Sequence, residues 1–331
     1  MNALSSVSRL PAPGSPLGVR ALGVVRAPEM KRLLVLVVIV VVFGFMNPAF
    51  LRPASLYEIV QAMAFAGIVA VGQTMLIVAG EFDLSVGSTA CLTSIVAALL
   101  MTQGNLDPVL SMAIGLAVGC LVGLINATLV LRARIPSFIA TIAMLGMARG
   151  LATWLCGARP VHNLPLTQFS QVDAAISFSV VLLLVFIVIG HFVIGRTNFG
   201  RIICATGGNA DAARIAGVKT LRVKSILFVT SGLLAGISGI LSIIHFGSST
   251  ITTGSGWELS AVAAVVVGGT SLMGGQGSIV GTFFGALLIG LLYNAMNLIH
   301  VDSYLQKVVL GVVILLAVVL DELRKRYLAK A

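Results

Sequence analysis

The sequence has 331 residues, of which 58% are hydrophobic and 10% are charged, and its mean hydropathy is +1.08. Soluble domains carry about 25% charged residues, so this composition excludes a soluble globular protein and indicates an integral membrane protein. The formal net charge of +10 could suggest a nucleic-acid-binding protein. The basic residues instead lie between apolar segments and form no continuous stripe, so membrane topology explains them better and a nucleic-acid partner is rejected.

The N-terminal residues 1–30 are rich in Pro, Ser and Arg and contain no sustained apolar run. We predict that they form a disordered cytoplasmic tail. The apolar run that follows lacks a convincing small-residue cleavage site, so we interpret 33–46 as the first membrane helix and not as a signal peptide.

Apolar segments of membrane-spanning length then recur along the chain, with boundaries that Gly-rich turns blur at Gly80–Asp83 and Gly274–Gly277. Together with the first span they predict an all-α integral membrane protein of about ten transmembrane helices. The other predicted spans are 59–79, 84–101, 108–131, 136–155, 176–194, 225–246, 258–273, 278–298 and 303–320.

The distribution of Lys and Arg sets the orientation of these spans. With the N-terminus in the cytoplasm, 17 basic residues fall on the cytoplasmic side and three, Arg52, Arg159 and Lys307, fall outside. This bias follows the positive-inside rule. Ten crossings then place the C-terminus in the cytoplasm too, so we divide the chain into the tail 1–30, a transmembrane domain 31–321 and a basic cytoplasmic tail 322–331.

Two short motifs resemble each other at a distance of five spans. Asp83-Leu84-Ser85-Val86 opens the third predicted span and Glu258-Leu259-Ser260-Ala261 opens the eighth, and the topology gives the two openings opposite directions. That arrangement is typical of inverted-topology repeats. Four matching positions in apolar sequence can also arise by chance, and the sequence alone does not decide between these interpretations.

Glycines recur every fourth residue at Gly115, Gly119 and Gly123, and again at Gly277, Gly281 and Gly285. Such spacing lines one helix face and lets a neighbouring backbone approach closely, so it predicts helix packing. The glycine-rich segment 268–278 favours either a broken helix or re-entrant turn, which serves as a hinge or pathway element, or a tight loop between two spans.

The longest charged interruption is the predicted cytoplasmic loop 195–224, which holds six basic residues. Asn209 suits a helix N-cap, Asp211 places a negative charge in the first turn, and Gly217 suits a left-handed stop. The sequence therefore predicts a short helix whose small face, Ala212, Ile215 and Ala216, docks in a partner's groove. The alternative is an ordinary loop that only orients the spans.

Several chemistries lack the residues they need. No G-x-x-x-x-G-K-[ST] segment occurs, so the chain is not an ATPase by itself. The four cysteines and four histidines show no metal-ligand spacing, and no hydrolytic set of side chains is evident, so we predict neither a metal nor a catalytic residue.

Among the charged residues only Arg149 lies clearly within a predicted span, and the acidic residues cluster at span ends. The polar side chains within the spans are neutral amides and hydroxyls, which suit a neutral, hydroxyl-rich solute. Each of these side chains alone is as well explained by contacts between helices. An ion-coupled secondary transporter or a channel for a small neutral solute is the alternative function, and a membrane-embedded enzyme is a third.

Four segments together carry a family resemblance: 80–88 (GEFDLSVGS), 135–141 (IPSFIAT), 197–218 (TNFGR, then GGNADAARIAGV) and 257–282 (WELSAVAAVVVGGTSLMGGQGSIVGT). In this set the chain resembles the membrane permease subunits of bacterial ABC importers for ribose and related monosaccharides. The resemblance covers about residues 33–321. It implies a permease of the bacterial inner membrane that takes a sugar from a periplasmic binding protein.

The resemblance also implies the partners and the working residues. The partners are a cytoplasmic ABC ATPase subunit or tandem ATPase, which binds ATP and magnesium, a second permease copy in a homodimer, and membrane lipid; the chain itself binds no cofactor. The implied ATPase-coupling residues are Gly208, Asn209, Asp211, Ala212, Ala213, Arg214, Ile215 and Gly217. The predicted substrate-pathway residues are Gln73, Thr74, Asp83, Ser85, Ser88, Asn126, Thr270, Ser271 and Asn294.

One departure from the family pattern concerns the opening of the third span. The family usually has Gly-Gly-Ile-Asp-Leu-Ser there, whereas Glu81 and Phe82 replace the second Gly and the Ile in this chain. The departure leaves the fold expectation unchanged, but it puts the exact substrate in doubt.

Overall fold

The computed structural model describes residues 37–38, 40–45, 47, 50 and 52–330. Within them the regular structure is helical, apart from one isolated antiparallel bridge between Val161 and Ser249. The predicted tail 1–30 lies outside the described residues. The predicted first span is described only in part, and residues 37–38 and 40–45 are helical.

Twelve helices follow in the continuous described stretch. They are α1 Pro53–Val78, α2 Val86–Thr102, α3 Pro108–Leu131, α4 Ser137–Leu155, α5 Thr167–Ala175, α6 Phe178–Arg196, α7 Asn198–Gly208, α8 Ala210–Ile215, α9 Thr220–Phe246, α10 Trp257–Val267, α11 Ile279–Leu298 and α12 Ser303–Lys330.

The apolar helices fall into two length classes. By length and composition, α1, α3, α4, α6, α9 and α11 can each cross a membrane, whereas α2, α10 and the 303–319 part of α12 are shorter apolar helices. A transmembrane helix needs about 20 residues. The structure is therefore an all-helical bundle of membrane-protein composition, as the sequence predicts, while the count of ten crossings stays a prediction.

Local signals explain where several helices begin and end. Pro53 and Pro108 occupy the first turns of α1 and α3, where a missing N–H costs nothing. The Asp107 carboxylate caps α3 by accepting from the N–H groups of Val109 and Leu110. At the same end of the bundle, α9 stops at Gly247, whose φ of 65° suits glycine.

The two longest buried helices, α1 and α9, form the centre of the bundle. α1 packs against α10 and α11, α9 packs against α2 and α3, and the two central helices contact each other. Their buried side chains, including Ile68, Leu76, Leu227 and Phe228, form the main core. The outer helices α4 and α6 expose apolar side chains such as Trp154 and Phe192, as expected where lipid replaces water.

Both glycine repeats lie at close helix contacts. A Cβ atom added at Gly119 would lie 2.6 Å from the carbonyl oxygen of Gly232 in α9, and one added at Gly285 would collide with the Ala264 carbonyl in α10. These contacts confirm the packing prediction for α3 and α11. Gly277, the first glycine of the second repeat, precedes α11 and lies against Thr270.

The predicted span 258–273 is shorter in the structure, because α10 ends at Val267 and residues 268–278 form an irregular loop. Gly269, Gly274 and Gly275 in this loop have φ values of 79°, 82° and 79°, which only glycine adopts readily. Two helices, α5 and α7, were not predicted. The backbone of α12 also continues to Lys330, through most of the predicted tail 322–331.

Candidate functional site

The predicted coupling loop contains two capped helices. Thr197 accepts a hydrogen bond from the N–H of Gly200 at the start of α7, and the Asn209 side chain accepts one from the N–H of Ala212 at the start of α8, 2.9 Å away. Beyond α8, Gly217 has a φ of 88°. The N-cap and the left-handed stop are therefore where the sequence predicted them.

The short helix α8 presents an open surface. Ile215 is 87% exposed, Ala212 and Ala216 are exposed as well, and the Asp211–Arg214 ion pair of 3.0 Å lies in solvent. Ala213 differs from the other predicted coupling residues, because it is buried within the chain with 6% exposure. A partner can reach the Ala212–Ile215–Ala216 face but not the Ala213 side chain. Gly208 and Asn209 are also exposed.

The C-terminal end of α7 packs directly against the end of α1 and the 268–278 loop. A Cβ atom at Gly207 would collide with the Val78 carbonyl at the end of α1 and would lie 2.8 Å from the Gly275 nitrogen. The N–H of Gly275 donates to the same Val78 carbonyl over 2.8 Å. The end of α7 therefore contacts the end of α1 and the 268–278 loop through backbone atoms. We refer to this region as the α7–α8 end of the bundle.

An ion pair lies beside this junction. The Lys224 Nζ atom donates to Glu81 Oε1 over 2.6 Å, and the two side chains are only 16% and 12% exposed. Lys224 belongs to the first turns of α9, and Glu81 lies in the break between α1 and α2. The family departure at Glu81 thus has a partner within the chain, which the sequence did not reveal.

Next to the ion pair, a buried polar network joins three helices and the α1–α2 break. Asp83 Oδ1 accepts from the Ser85 backbone N–H and hydroxyl at 3.0 and 2.6 Å and from Asn126 Nδ2 at 3.4 Å, while Oδ2 accepts from the Ser231 hydroxyl at 3.0 Å. When the Gln73 amide is oriented to satisfy both of its polar atoms, its nitrogen donates to the Asp83 carbonyl oxygen and its oxygen accepts from the Asp83 backbone N–H. These side chains are fully buried.

Other predicted pathway residues are also held by hydrogen bonds within the protein. The Thr74 hydroxyl lies 2.7 Å from both the Ala70 carbonyl and the Thr282 hydroxyl, and the Ser88 hydroxyl donates to the Ser85 carbonyl over 2.8 Å. Thr270 and Ser271 lie in the 268–278 loop at the α7–α8 end. The structure therefore brings most of the predicted pathway residues together, but in a closed, buried region.

The open volume lies at the opposite end of the bundle. A cavity of about 490 Å³ lies between the first half of α1, α10, α11 and the start of α12. Asn294 is the one predicted pathway residue in its wall. A second cavity, of about 530 Å³, is lined by hydroxyls of the 248–253 segment. Trp257 and Ala62 border both cavities.

An aromatic group that the sequence did not predict borders these cavities. The Trp257 and Phe65 rings are parallel, with an angle of 1° between their planes and 5.6 Å between their centroids. Phe246 contacts the same Phe65 ring and is 65% exposed. Trp257 opens one of the four family segments, but nothing in the sequence indicated that Phe65 and Phe246 meet it.

Arg149, the charged residue within a predicted span, fixes the loop that precedes Trp257. Its Nη1 atom donates to the carbonyl oxygens of Ile251 and Thr253, each 2.7 Å away. The charge is thus compensated by backbone acceptors. In the described part of the chain no three His, Cys, Asp or Glu residues are grouped as metal ligands would be.

Cys204 lies in α7, outside the helices long enough to span a membrane. Partial burial raises the pKa of its thiol, so the thiol stays protonated and weakly nucleophilic at neutral pH.

Comparisons with known proteins agree with this architecture. A family model described as "Branched-chain amino acid transport system / permease component" matches residues 55–318. The ribose import permease protein RbsC of Escherichia coli strain K12 is 37% identical over 300 residues, which cover 88% of this chain and 93% of that protein. No solved structure matches the chain.

Two further relatives are similar over comparable lengths. The fructose import permease protein FrcC of Rhizobium meliloti is 32% identical over 309 residues, covering 89% of this chain and 86% of that protein. The L-arabinose ABC transporter permease protein AraH of Azospirillum brasilense is 33% identical over 298 residues, covering 88% and 87%. The chain therefore belongs to the family of transport-system permease components that this model describes.

Proposed function

We propose that the chain is the membrane-spanning permease subunit of an ATP-binding-cassette importer for a monosaccharide. The observation that carries the proposal is the similarity to relatives named for ribose, fructose and L-arabinose transport, over at least 86% of the length of each. The family description names branched-chain amino acids instead. Both cavities combine apolar side chains with hydroxyl or amide groups, a mixture that suits the C–H faces and hydroxyls of a sugar.

The division of labour in this proposal follows from what the sequence contains. It has no phosphate-binding P-loop, so ATP and magnesium bind to a cytoplasmic partner ATPase, and a periplasmic binding protein delivers the sugar. The exposed face of α8 receives the motion of the ATPase. A second copy of the permease completes the transporter, which lies in the lipid of the bacterial inner membrane.

The proposed topology has ten crossings, both termini in the cytoplasm and two inverted-topology repeats. The packing pattern supports the repeats, because α1 packs on α10 and α11 as α9 packs on α2 and α3. The two short helices α2 and α10 also begin next to each other inside the bundle, where Gly87 lies directly against the Glu258 carboxylate. Short helices in corresponding positions of two halves are typical of transporter repeats.

The proposed import direction runs from the cavities toward the α7–α8 end. The cavities lie where the periplasmic side would be, and the Asp83 network together with the Glu81–Lys224 pair closes the cytoplasmic half. Import then requires these polar contacts to separate when the ATPase moves α7 and α8.

The test is reconstitution of the permease in proteoliposomes with its partner ATPase and binding protein. We expect uptake of radiolabelled ribose, fructose or arabinose that requires ATP, magnesium and the binding protein and is insensitive to ionophores, with no uptake of leucine. Sugar uptake by the permease alone along an ion gradient would establish a secondary transporter instead. Chemical conversion of the sugar by the purified chain would establish an enzyme.

A further inference from the structure

The cavity between α1, α10, α11 and α12 has the features of a small-molecule site. Its volume of about 490 Å³ falls within the range of ligand pockets, and it is partly enclosed by helices on several sides. The fully buried polar network around Asp83 offers no comparable space. We name this space the Trp257–Asn294 cavity, after the aromatic and the amide in its wall.

The interior wall of the Trp257–Asn294 cavity is uncharged and combines apolar side chains with hydrogen-bonding groups. Ser260, Tyr293, Asn294, Asn297 and Gln306 contribute hydroxyls and amides, each of which can donate or accept. The charged members of the lining, Glu58 and Lys307, are exposed. Such a wall matches an uncharged polyol and offers no counter-charge at depth for an ionic ligand.

One wall residue, Asn294, carries an acceptor atom without a partner. Asn294 Oδ1 is buried and accepts no hydrogen bond from any described residue. A buried acceptor without a donor costs stability, so native proteins rarely keep one unless water or a ligand satisfies it. A sugar hydroxyl is a donor of the required kind.

The aromatic member of the wall is held in a fixed orientation. Trp257 is stacked on Phe65 with parallel ring planes, at the start of α10, and the loop before it is held by the two Arg149 hydrogen bonds. A rigid indole offers an apolar, electron-rich surface to the C–H face of a sugar ring. Trp257 lines both cavities.

From these observations we propose that the Trp257–Asn294 cavity is a binding site for a monosaccharide, in which Trp257 packs against the sugar ring and Asn294 accepts from a sugar hydroxyl. The site rests on the proposed function. It holds the sugar after the binding protein has released it and before the cytoplasmic half opens. It replaces the Asp83 region as the place where the permease holds its substrate.

The chain contains two tryptophans, which allows a direct binding test on the full-length protein in detergent. In the Trp154→Phe variant, Trp257 is the sole indole. We expect saturable quenching of its fluorescence by ribose, fructose or L-arabinose at concentrations up to about 0.1 M, where even a millimolar site is filled. The Trp257→Phe variant, which retains only the 75% exposed Trp154, is the matched control and should not respond.

A second variant separates binding from structural stability. Asn294→Leu removes the unsatisfied acceptor at nearly constant size, so its melting temperature should be unchanged or higher while the sugar response is lost. A purely structural Asn294 would give the opposite pattern, with a lower melting temperature and retained quenching. That result, or no quenching of Trp257 by any of the three sugars, would overturn the site, and so would quenching by leucine alone.

Transport measurements distinguish failure of the site from failure of the proposed function. In the reconstituted transporter, Trp257→Ala should lower sugar uptake about tenfold while ATP hydrolysis stimulated by the loaded binding protein stays within about twofold of wild type. Equal uptake by this variant would overturn the site alone. Absence of ATP-dependent sugar uptake by the wild-type transporter would instead contradict the proposed function, whatever the fluorescence shows.

Discussion

At the scale of single residues, Glu81 shows how a departure from a family pattern can be compensated at a distance. Its partner Lys224 lies 143 positions later in the sequence. The pair is at the α7–α8 end, away from both cavities, so the structure gives no reason to connect Glu81 with the choice of sugar. Lys224 belonged to a basic loop that the positive-inside rule already explained, so the sequence contained no signal for the pairing.

The ion pair leads to a prediction about stability. Glu81→Lys places two cations at a contact of 2.6 Å with little access to solvent, and we expect the free energy of unfolding to fall by about 1–3 kcal/mol. The measurement is thermal unfolding of the purified chain in detergent. The exchange variant Glu81→Lys with Lys224→Glu should recover most of the loss. If the exchange variant is no more stable than the single variant, the two side chains do not act as a pair.

The residues of the Asp83 network could be predicted only in part from the sequence. The sequence selected Asp83, Ser85 and Asn126 as polar residues near spans, and the structure does bring them together. It did not select Ser231, because a serine in an apolar helix can bond to its own backbone and gives no distinct signal. It also could not show that the group is closed, since burial depends on helices far apart in the sequence.

At the scale of elements, the two helices of the coupling loop differ in how they are specified. The caps of α8 are local, so Asn209 and Gly217 could be identified from sequence. α7 contains glycines and β-branched residues, which disfavour a helix. Its stability comes from packing, since Ile203 and Thr206 are buried and Gly200 and Gly207 lie against neighbouring backbone. Tertiary contacts of this kind cannot be inferred from a local pattern.

A prediction at this scale concerns the exposed face of α8. Ile215→Asp should leave the melting temperature of the permease unchanged, because the side chain is 87% exposed. Loss of an apolar anchor at a partner interface should reduce ATP-dependent sugar uptake about tenfold or more in proteoliposomes. ATPase binding, measured by co-purification, should fall in parallel.

The buried neighbour in α8 provides the contrast. Ala213→Arg forces a long charged side chain into a buried position, so it should lower the melting temperature of the permease itself and cannot isolate the interface. If the Ile215→Asp variant binds the ATPase and takes up sugar as well as the wild-type permease does, the partner does not use the exposed face of α8.

At the scale of the whole molecule, the arrangement of helices depends on pairings that hydropathy does not encode. The sequence predicted most helix positions well, because apolar runs and Gly or Pro boundaries are local. It could not show that α1 and α9 are central, or that each of them packs on helices from the other half of the chain. It also extended α10 beyond Val267, since the loop 268–278 contains no charged residue and its glycine conformations interrupt the helix.

Corresponding loops of the two proposed repeats lead to the prediction for the whole molecule. The α2–α3 loop at Gln103 and the α10–α11 loop at Met273 follow the two short helices, and both residues are exposed. Inverted repeats require these loops to face opposite sides of the membrane. In a variant without the four native cysteines, Gln103→Cys should react with a membrane-impermeant maleimide in spheroplasts, and Met273→Cys should react only in inside-out vesicles. Labelling of both cysteines from one side would mean that the halves are not inverted. Reversed labelling would keep the repeats but place α7 and α8 outside the cell, where no ATPase could reach them, and the proposed import mechanism would then fail.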